Sequence, residues 1–279
     1  MTRQKLCITL KTDILNKIDS MVDGLTLRNR SHVIECLLTQ SLPSKISRAL
    51  ILCSGKGLKM RPFTYEMPKA MLLVRGKPIL EHIIILLKKN NIHEAIILLG
   101  PKGEKIRDYF KDGSNFGIKI TYLEEEKPSG TAIPLLRAKD LLKNEPFFLI
   151  YGDVLSKINL KEMIDFHEEN KKPITMAITS VEEAGDWGVV NLCGNRITSF
   201  VEKPRNPGLS HLVNAGIFII EPEIIDKIPT KKFSRLEDDV FPDLVEKGKI
   251  NGYLFEGKWF DVGTPADYGR AIKEWQNGP

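Results

Sequence analysis

The sequence lacks long hydrophobic runs. Hydrophobic residues make up 42% of its 279 residues, but no purely apolar run is longer than five residues, as at residues 83–87. A membrane-spanning helix needs about 20 mainly apolar residues in succession. The first residues also lack the apolar segment of a secretory signal, because polar and apolar positions alternate there. We therefore expect a cytoplasmic protein that makes no membrane contact.

Cysteine is scarce as well. The four cysteines, Cys7, Cys36, Cys53 and Cys193, lie far apart, and no two of them form a C-x-x-C pair. Structural zinc sites and redox motifs generally use such closely spaced pairs, whereas disulfide frameworks belong to small secreted domains. The cysteine pattern predicts a reduced protein without a structural zinc site.

Two common phosphate-binding motifs are missing. A Walker A loop that ended in Gly55-Lys56 would need glycine at position 50 and serine or threonine at position 57, where the sequence has Leu50 and Gly57. A dinucleotide fingerprint that began at Gly55 would need a glycine in place of Met60. In addition, no Ser-His or Cys-His pairing indicates a covalent nucleophile.

What the sequence does contain is a cationic loop at residues 54–78. The loop follows an apolar run at residues 49–52, which predicts a buried strand, and precedes residues 79–89, whose pattern predicts a helix. Its cations are Lys56, Lys59, Arg61 and Lys69. Open α/β sheets bind ligands outside the carboxyl ends of their strands, and cations beside exposed backbone N–H groups favour anions. The loop therefore predicts an anion site.

Apolar and amphipathic segments alternate along the rest of the chain. Strand patterns occupy residues 94–100, 118–123 and 147–154, and helix patterns occupy residues 104–110 and a segment that ends at Leu142. Such alternation is typical of strands and helices packed in layers. For residues 47–279 it predicts a Rossmann-like, three-layer α/β/α domain with a mixed, mostly parallel sheet.

Two aspartates follow buried segments. Asp153 comes after the apolar run that ends at Tyr151, and Asp261 stands in the segment K-W-F-D-V-G-T-P. A carboxylate at the end of a buried strand is costly unless something pairs with it, and Mg²⁺ favours carboxylate oxygens. The pair predicts a Mg²⁺ site, with a purely structural Gly-Asp turn as the alternative.

Ten positions of the cationic loop fit one motif, which reads roughly G-G-x-G-[TL]-R-[LM]-x-P-[LF]-T and then P-K-P-[ML]-[LV]-P-[VI]-x-G-[KR]-P. The matching positions are Gly55, Gly57, Met60, Pro62, Thr64, Pro68, Lys69, Val74, Gly76 and Pro78. The chain thereby resembles the sugar-1-phosphate nucleotidyltransferases, or NDP-sugar pyrophosphorylases. It departs from their motif at Ser54, Lys59 and Ala70. Lys59 keeps the charge of the family arginine but loses its bidentate fork.

Later segments extend the resemblance over about residues 47–275. The sequences P-S-G-T-A, W-G-V-V, E-K-P and N-A-G match family motifs in the family order. The resemblance implies catalytic roles for Lys59, Lys69, Asp153 and Asp261, with the two aspartates holding Mg²⁺. It implies nucleotide binding by Ser54, Gly55, Lys56, Gly57, Gly130 and Thr131. It implies sugar-phosphate binding by Gly188, Glu202, Lys203 and Asn214.

The reaction implied by the resemblance joins a nucleoside triphosphate to a sugar 1-phosphate. A phosphate oxygen of the sugar would attack the α-phosphorus in line and expel pyrophosphate, without a covalent enzyme intermediate. The Gly-Thr-Ala turn favours GTP with mannose 1-phosphate, while dTTP or UTP with glucose 1-phosphate stays open. Thr131 also fits a helix cap, and we interpret residues 234–242 as a capping box and a core helix rather than as part of the chemistry.

The first 43 residues predict a β-α-α unit. Residues 5–11 alternate polar and apolar, as in a strand with one covered face. Two helix patterns follow, one ended by Gly24 and one opened by Asn29 and closed before Pro43. One strand and two short helices cannot bury a core alone. We therefore expect the unit to pair with a second chain.

This order resembles the ribbon-helix-helix domains of small bacterial and archaeal repressors. In those proteins two chains pair their strands into an antiparallel ribbon that enters the major groove of DNA. The resemblance implies a homodimer or larger assembly through residues 1–43, with DNA contacts by Lys5, Cys7, Thr9 and Arg30. Dimerisation without DNA binding is the alternative.

Three other functions stay open. The protein could be a DNA-binding regulator that senses a nucleotide sugar, a dual enzyme and operator-binding protein, or a glycosyltransferase of related fold. Such glycosyltransferases generally carry a D-x-D motif, whereas Asp153 is followed by Val154 and Leu155. The retained acidic and basic positions of the motif, including Lys69 and Lys203, favour catalysis.

Overall fold

The structure is a computed structural model, and it describes residues 5–41, 46–206, 208 and 210–276. The chain divides into two compact units, residues 1–44 and 45–279. Across the described ranges, no helix combines the length and the apolar character that a bilayer span requires. The predicted linker at residues 43–45 lies outside the described residues.

The N-terminal unit contains two helices, α1 (Thr12–Met21) and α2 (Arg30–Ser41). Both helix predictions are confirmed, although α1 ends before the predicted Gly24. Arg30 donates a hydrogen bond from Nη2 to Asp19 Oδ2 at 2.5 Å, which joins the two helices. The Asn29 side chain accepts from the backbone N–H of His32 at 3.0 Å and so opens α2 as predicted.

The predicted strand at residues 5–11 is not formed within the single chain. A strand needs a second strand to exchange backbone hydrogen bonds, and none of the described residues pairs with this segment. Leu6 and Ile8, on the predicted covered face, are consequently 77% and 50% exposed. The strand prediction is therefore wrong for one chain taken alone.

The larger unit consists of short strands and helices. The strands are β1 (Arg48–Cys53), β2 (Leu73–Val74), β3 (Lys77–Pro78), β4 (Glu94–Leu99), β5 (Lys119–Glu124), β6 (Phe147–Tyr151), β7 (Val154–Ser156), β8 (Ile174–Ser180), β9 (Gly188–Cys193), β10 (Arg196–Glu202), β11 (Leu212–Ile220), β12 (Ile250–Leu254) and β13 (Trp259–Asp261). The helices are α3 (Ile79–Lys89), α4 (Glu104–Phe110), α5 (Ile133–Arg137), α6 (Lys139–Leu142), α7 (Leu160–Asn170), α8 (Leu236–Asp239), α9 (Phe241–Glu246) and α10 (Pro265–Glu274).

A nine-stranded sheet lies between two helical layers in this unit. Its strand order is β5-β4-β1-β6-β11-β8-β12-β10-β9. Because successive side chains of a strand point to opposite faces, Ile51 and Ile97 join one buried cluster while Leu50 and Ile96 join the other. The first cluster includes side chains of α3, α4, α7 and α10, and the second those of α5, α6, α8 and α9. The predicted three-layer α/β/α architecture is confirmed.

The sheet is mixed, and most of its strands, namely β5, β4, β1, β6, β8, β12 and β9, run in the same direction. Strands β5, β4, β1 and β6 are parallel neighbours, but β11 runs antiparallel to both β6 and β8. Strand β10 is antiparallel to β9 and β12. Strand β12 is parallel to β8, so β10 and β11 are the two strands of this sheet that run against the other seven. The prediction of a mixed, mostly parallel sheet is confirmed. In the parallel half, the loops after β1 and β6 leave the sheet at the same edge.

Candidate active site

A small second sheet brings two aspartates together. Strands β7 and β13 pair antiparallel, with Val154 opposite Asp261. The backbone N–H of Val262 donates to the carbonyl oxygen of Asp153 at 3.0 Å and continues the pairing by one residue. Asp153 and Asp261 are distant in the sequence, but this pairing places them on neighbouring segments.

Lys69 contributes a charge to this pair of carboxylates. It opens a short 3-10 turn, Lys69–Met71, in the cationic loop, and its Nζ forms an ion pair with Asp153 Oδ2. Burial lowers the pKa of Lys69, but the charges of Asp153 and Asp261 outweigh burial and raise the pKa above its ordinary value. The lysine is therefore held in its charged form.

Asp261 responds to the same arrangement. Burial and then the like charge of Asp153 raise the pKa of Asp261 to about 6, while Lys69 and a hydrogen bond from Trp187 Nε1 at 3.0 Å act in the opposite direction. The two carboxylates of Asp153 and Asp261 beside one ammonium group leave excess negative charge. The atoms that these aspartates offer to a metal ion are all oxygens. This donor set fits Mg²⁺, which takes one or two carboxylates and completes its shell with water and phosphate oxygens.

The protein would supply only part of such a shell. No cluster of three or more His, Cys, Asp or Glu side chains placed to hold a metal occurs in the part of the chain that the structure describes. A two-carboxylate site therefore leaves most coordination positions to solvent or substrate, as is usual for Mg²⁺ at phosphate-transfer sites.

A pocket of about 480 Å³ includes both aspartates. The predicted site residues that line it are Lys56, Gly57, Lys59, Lys69, Thr131, Asp153, Gly188, Glu202, Lys203, Asn214 and Asp261. Three predicted nucleotide-binding residues, Ser54, Gly55 and Gly130, are not among the lining residues. The pocket thus brings together most of the residues that the sequence singled out.

The cationic loop is folded by its own threonine. Thr64 donates from Oγ1 to the carbonyl oxygen of Gly57 at 2.7 Å, and Gly57 is left-handed with φ of 62°. A Cβ atom at Gly57 would lie 2.9 Å from Thr64 Cγ2, so only glycine fits there. The turn leaves the exposed side chains of Lys56 and Lys59 at the pocket wall.

The segment around Gly130 packs against Ser234. The backbone N–H of Ala132 donates to the carbonyl oxygen of Ser234 at 3.0 Å, and the N–H of Ser234 donates to that of Ser129 at 3.0 Å. Gly130 lies between these bonds with φ of 94°, and a Cβ atom there would approach Ser234 O to 2.1 Å. Gly130 therefore positions its neighbour Thr131 at the pocket instead of lining the pocket itself.

Gly130→Ala should destabilise the protein, because alanine must adopt a left-handed backbone and displace the carbonyl of Ser234. We expect the free energy of unfolding to fall by about 2 kcal/mol or more in urea denaturation. Gly269→Ala is the matched control, because a Cβ atom in that turn of α10 meets no atom within 4 Å. Alanine should raise helix stability there by up to about 1 kcal/mol. Equal stability of Gly130→Ala and the parent would contradict the close packing.

The interpretation of residues 234–242 as a capping box is wrong. Helix α8 begins without a side-chain cap of its own, and Glu237 instead faces the pocket. Glu237 accepts hydrogen bonds from Thr131 Oγ1 at 2.6 Å and from the Tyr151 hydroxyl. Thr131 Oγ1 in turn accepts a hydrogen bond from the N–H of Leu236 at 2.9 Å. It therefore caps the start of α8 and not the start of α5, the helix that follows it in the sequence.

Arg235 is a second pocket residue that the sequence analysis missed. It donates from Nη2 to Glu202 Oε1 at 2.9 Å, and both side chains line the pocket. Lys203 follows Glu202 in a left-handed conformation with φ of 44°, and its N–H donates to the carbonyl oxygen of Trp187 at 3.1 Å. The only sequence signal for Arg235 is a run of charges, which is also typical of a solvated helix start.

Asn214 lies in a bulge of β11. Its Oδ1 accepts from the N–H of Gly216 at 2.9 Å, and Gly216 has φ of 71°. Trp259 donates from Nε1 to the carbonyl oxygen of Ala215 at 2.9 Å and packs edge-on against Trp187, with ring centroids 5.7 Å apart. Because Trp187 also donates a hydrogen bond to Asp261, the two tryptophans connect this bulge to the aspartate pair.

The four residues predicted to contact DNA belong to the N-terminal unit. Lys5, Cys7, Thr9 and Arg30 are all exposed there. Arg30 begins α2 and pairs with Asp19, so part of its charge is already neutralised.

Comparison with known proteins gives one family, and its relatives are named for different nucleotides and sugars. The model of the nucleotidyl transferase family matches residues 48–278. Mannose-1-phosphate guanylyltransferase 1 of Arabidopsis thaliana is 35% identical over 79% of the chain and 62% of its own length. Mannose-1-phosphate guanylyltransferase of Mycobacterium tuberculosis is 34% identical over 82% of the chain and 65% of its own length. The chain thus spans less than two thirds of these relatives.

A solved structure shares the fold. A UDP-glucose pyrophosphorylase crystallised with UDP-glucose superposes with a TM-score of 0.70 at 24% identity, and the match covers 82% of this chain and 97% of that one. At that identity the match establishes the α/β nucleotidyltransferase fold alone. The mixed sheet of the larger unit is therefore the arrangement of a known fold and not a local irregularity.

Proposed function

The chain belongs to the nucleotidyl transferase family, and from that premise we propose that it transfers a nucleotidyl group from a nucleoside triphosphate to a sugar 1-phosphate, with release of pyrophosphate. The observation that carries the proposal is the meeting of Lys69, Asp153 and Asp261 in one pocket with the cationic loop. The relatives named as mannose-1-phosphate guanylyltransferases support the same class of reaction.

The two substrates repel each other, because both carry several negative charges. Two unit charges 4 Å apart interact by about 4 kcal/mol at an effective dielectric constant near 20. Lys59 and Lys69 would offset the charge of the triphosphate, and Lys203 would offset that of the sugar phosphate. All three line the pocket. Bringing the reactants together is thus the main task of the site.

Asp153 and Asp261 would hold Mg²⁺, which when bound neutralises phosphate charge and orients the reacting groups. Lys69 stays charged between the carboxylates and binds the phosphate that they would otherwise repel. The attacking phosphate oxygen is already ionised near neutral pH, so no side chain needs to remove a proton. Positioning and charge stabilisation then account for most of the rate.

GTP and mannose 1-phosphate are the substrates that we favour. The Gly130-Thr131 turn supports the base assignment, because it resembles the Pro-x-Gly-Thr-Ala turn of the guanylyl-transferring branch, and Thr131 is held at the pocket by its hydrogen bond to Glu237. The names of the guanylyltransferase relatives support both assignments. Glycine at position 188 and the amide of Asn214 would face the sugar.

The test is pyrophosphate release by the full-length protein with Mg²⁺, over a panel of nucleoside triphosphates and sugar 1-phosphates. We expect GTP with mannose 1-phosphate to give the highest kcat/KM. Preference for dTTP or UTP with glucose 1-phosphate would overturn the substrate assignment and leave the reaction in place. No pyrophosphate with any pair, together with a thermal shift on adding a nucleotide sugar, would favour a sensing domain over an enzyme.

For the N-terminal unit we propose a ribbon-helix-helix dimer, formed by residues 5–11 of two chains. Leu6 and Ile8 are largely exposed in the single chain, although their alternation is that of a covered strand face. A paired ribbon would bury both side chains and give each segment hydrogen-bond partners along the edge that faces the other chain. DNA binding by Lys5, Cys7, Thr9 and Arg30 would follow from the same ribbon, and a gel shift with a salt titration on upstream DNA tests it.

Ile8→Asp should convert the protein from a dimer to a monomer, because a charge cannot be buried in the ribbon core without a partner. Light scattering should give the parent a mass about twice the 31.6 kDa of one chain and the variant the mass of one chain. Thr9→Asp places the same charge on the other face and should leave the dimer intact. Dimers of both variants would rule out the ribbon.

A further inference from the structure

Arg235 carries more hydrogen-bonding capacity than its structural contacts use. Its Nη2 lies 2.9 Å from Glu202 Oε1, its Nη1 lies 3.1 Å from Asp238 Oδ2, and its Nε lies 3.6 Å from Glu237 Oε2. A guanidinium group has two N–H donors on each Nη atom. Each Nη of Arg235 therefore keeps a second N–H without a partner among the described residues. The side chain is 30% exposed, and it lines the pocket.

Glu202 offers a matching acceptor, an oxygen that forms no hydrogen bond with any described residue. Its Oε1 is held by Arg235, whereas its Oε2 faces Gly188, where a Cβ atom would lie only 3.1 Å away. The same Cβ atom would lie 2.6 Å from Phe200 Cζ, so Gly188 allows close packing at this place, and a ligand would reach Oε2 from the pocket, which Glu202 lines. The Glu202 side chain is 15% exposed, so the remaining access is through the pocket. A carboxylate acceptor and a guanidinium donor thus lie side by side, each fixed by the other.

Such a pair suits two hydroxyl groups on adjacent carbons. The carboxylate oxygen can accept the proton of one hydroxyl, while the guanidinium donates to the oxygen of the next. Hydrogen bonds to charged groups are shorter and stronger than those between neutral groups. The pair discriminates between sugars, because a substrate that lacks one hydroxyl forms one charge-assisted hydrogen bond fewer in the pocket.

We propose that Arg235 is a specificity-determining residue which, together with Glu202, binds two adjacent free hydroxyls of the sugar. The proposal rests on the proposed function, in which the ligand is a sugar 1-phosphate. It selects sugars with an unmodified vicinal diol over those with a deoxygenated or acetamido carbon at that place. The side chain touches the substrate without taking part in the transfer of the nucleotidyl group.

The test combines a change in the protein with a change in the substrate. The full-length parent, Arg235→Gln and Arg235→Lys are assayed with mannose 1-phosphate and with each of its monodeoxy analogues at saturating GTP. In the parent, deoxygenation at two adjacent carbons should lower kcat/KM by about 10- to 100-fold each. In Arg235→Gln, kcat/KM for mannose 1-phosphate should fall by a similar factor, through KM for the sugar and not through kcat.

The decisive result is that the effects of Arg235→Gln and of removing one sugar hydroxyl do not add. In Arg235→Gln, deoxygenation at the carbon that faced Arg235 should cost no more than about twofold, because the bond it removes is already gone. Deoxygenation at the adjacent carbon, which faces Glu202, should still lower kcat/KM in Arg235→Gln by most of the factor seen in the parent. Arg235→Lys keeps a charge near Glu202 without the fork and should lie between the parent and Arg235→Gln. Unchanged penalties at every carbon in both variants would overturn the proposal.

Asp238→Asn is the matched control. It removes the solvent-exposed partner of Arg235, whose side chain is 52% exposed, and leaves the contact with Glu202 in place. We expect kcat/KM within about twofold of the parent and the same ranking of deoxy analogues. If Arg235→Gln unfolds in a thermal melt, Arg235→Lys supplies the comparison.

Failure of this proposal differs from failure of the proposed function. If the parent neither turns over any sugar 1-phosphate nor binds one by titration calorimetry, both proposals fall. If the parent is active and the variants keep its selectivity, only the role of Arg235 falls.

Discussion

Replacing Asp153 or Asp261 with asparagine should slow pyrophosphate release by about 100- to 1,000-fold. Asparagine keeps the shape of the side chain but removes the charge that would hold Mg²⁺, and the stabilisation of charge at such sites contributes several kcal/mol. The assay is coupled pyrophosphate detection with the best substrate pair. Binding of Mn²⁺, followed by electron paramagnetic resonance without nucleotide, should weaken in both variants and gives a second measurement that does not depend on turnover.

Asp243→Asn is the control for these two changes. Asp243 is exposed in α9 and pairs with Lys247, and it does not line the pocket. Its replacement removes the same charge and should alter the rate by less than about twofold. Rates within a few-fold of the parent for Asp153→Asn or Asp261→Asn would remove the metal-holding role of that residue.

The sequence could predict elements whose pattern is complete within one segment. Helices α3 and α4 occupy the predicted residues, because their apolar positions repeat with the helical period and turn residues bound them. The strand before Asp153 was equally predictable, since its apolar run is short and buried on both faces. Such patterns depend only on neighbours in the chain, so one sequence is sufficient to locate them.

The identity of the two reversed strands, β10 and β11, could not be predicted in the same way. An apolar run reads identically whether the strand runs parallel or antiparallel to its neighbour, and β11 has neighbours that are far away in the sequence. The break between α5 and α6 at Ala138 was missed for a related reason. The apolar period continues through it, and only the backbone conformation separates the two helices.

The candidate site shows the same division. Asp153 and Asp261 follow apolar segments, so their places at strand ends could be predicted, while their pairing depends on the β7–β13 register. Arg235 could not be identified from the sequence, because its proposed role depends on its contact with Glu202. Glu202 lies at the end of β10, far from Arg235 in the sequence. The predicted strand at residues 5–11 is not formed in one chain, because none of the described residues offers it a strand to pair with.

Lys69→Met should separate two effects that the arrangement of charges couples. Pyrophosphate release should fall by about 100- to 1,000-fold, because the variant loses a fixed cation that would offset the charge of the transferred phosphate. Divalent binding in the absence of nucleotide should become tighter, because the Lys69 ammonium no longer competes for Asp153 and Asp261. Methionine keeps most of the length of the buried stem, so the packing should change little.

A lower rate of pyrophosphate release together with tighter divalent binding distinguishes a site residue from a merely structural one. A lysine that only stabilised the fold would lower activity and weaken metal binding together when it is replaced. The measurements are coupled pyrophosphate release and Mn²⁺ titration by electron paramagnetic resonance on the same preparations. Lys143→Met, at an exposed lysine that pairs with Asp140, should change neither quantity by more than about twofold. Weaker Mn²⁺ binding in Lys69→Met would contradict the competition between its charge and a metal for Asp153 and Asp261.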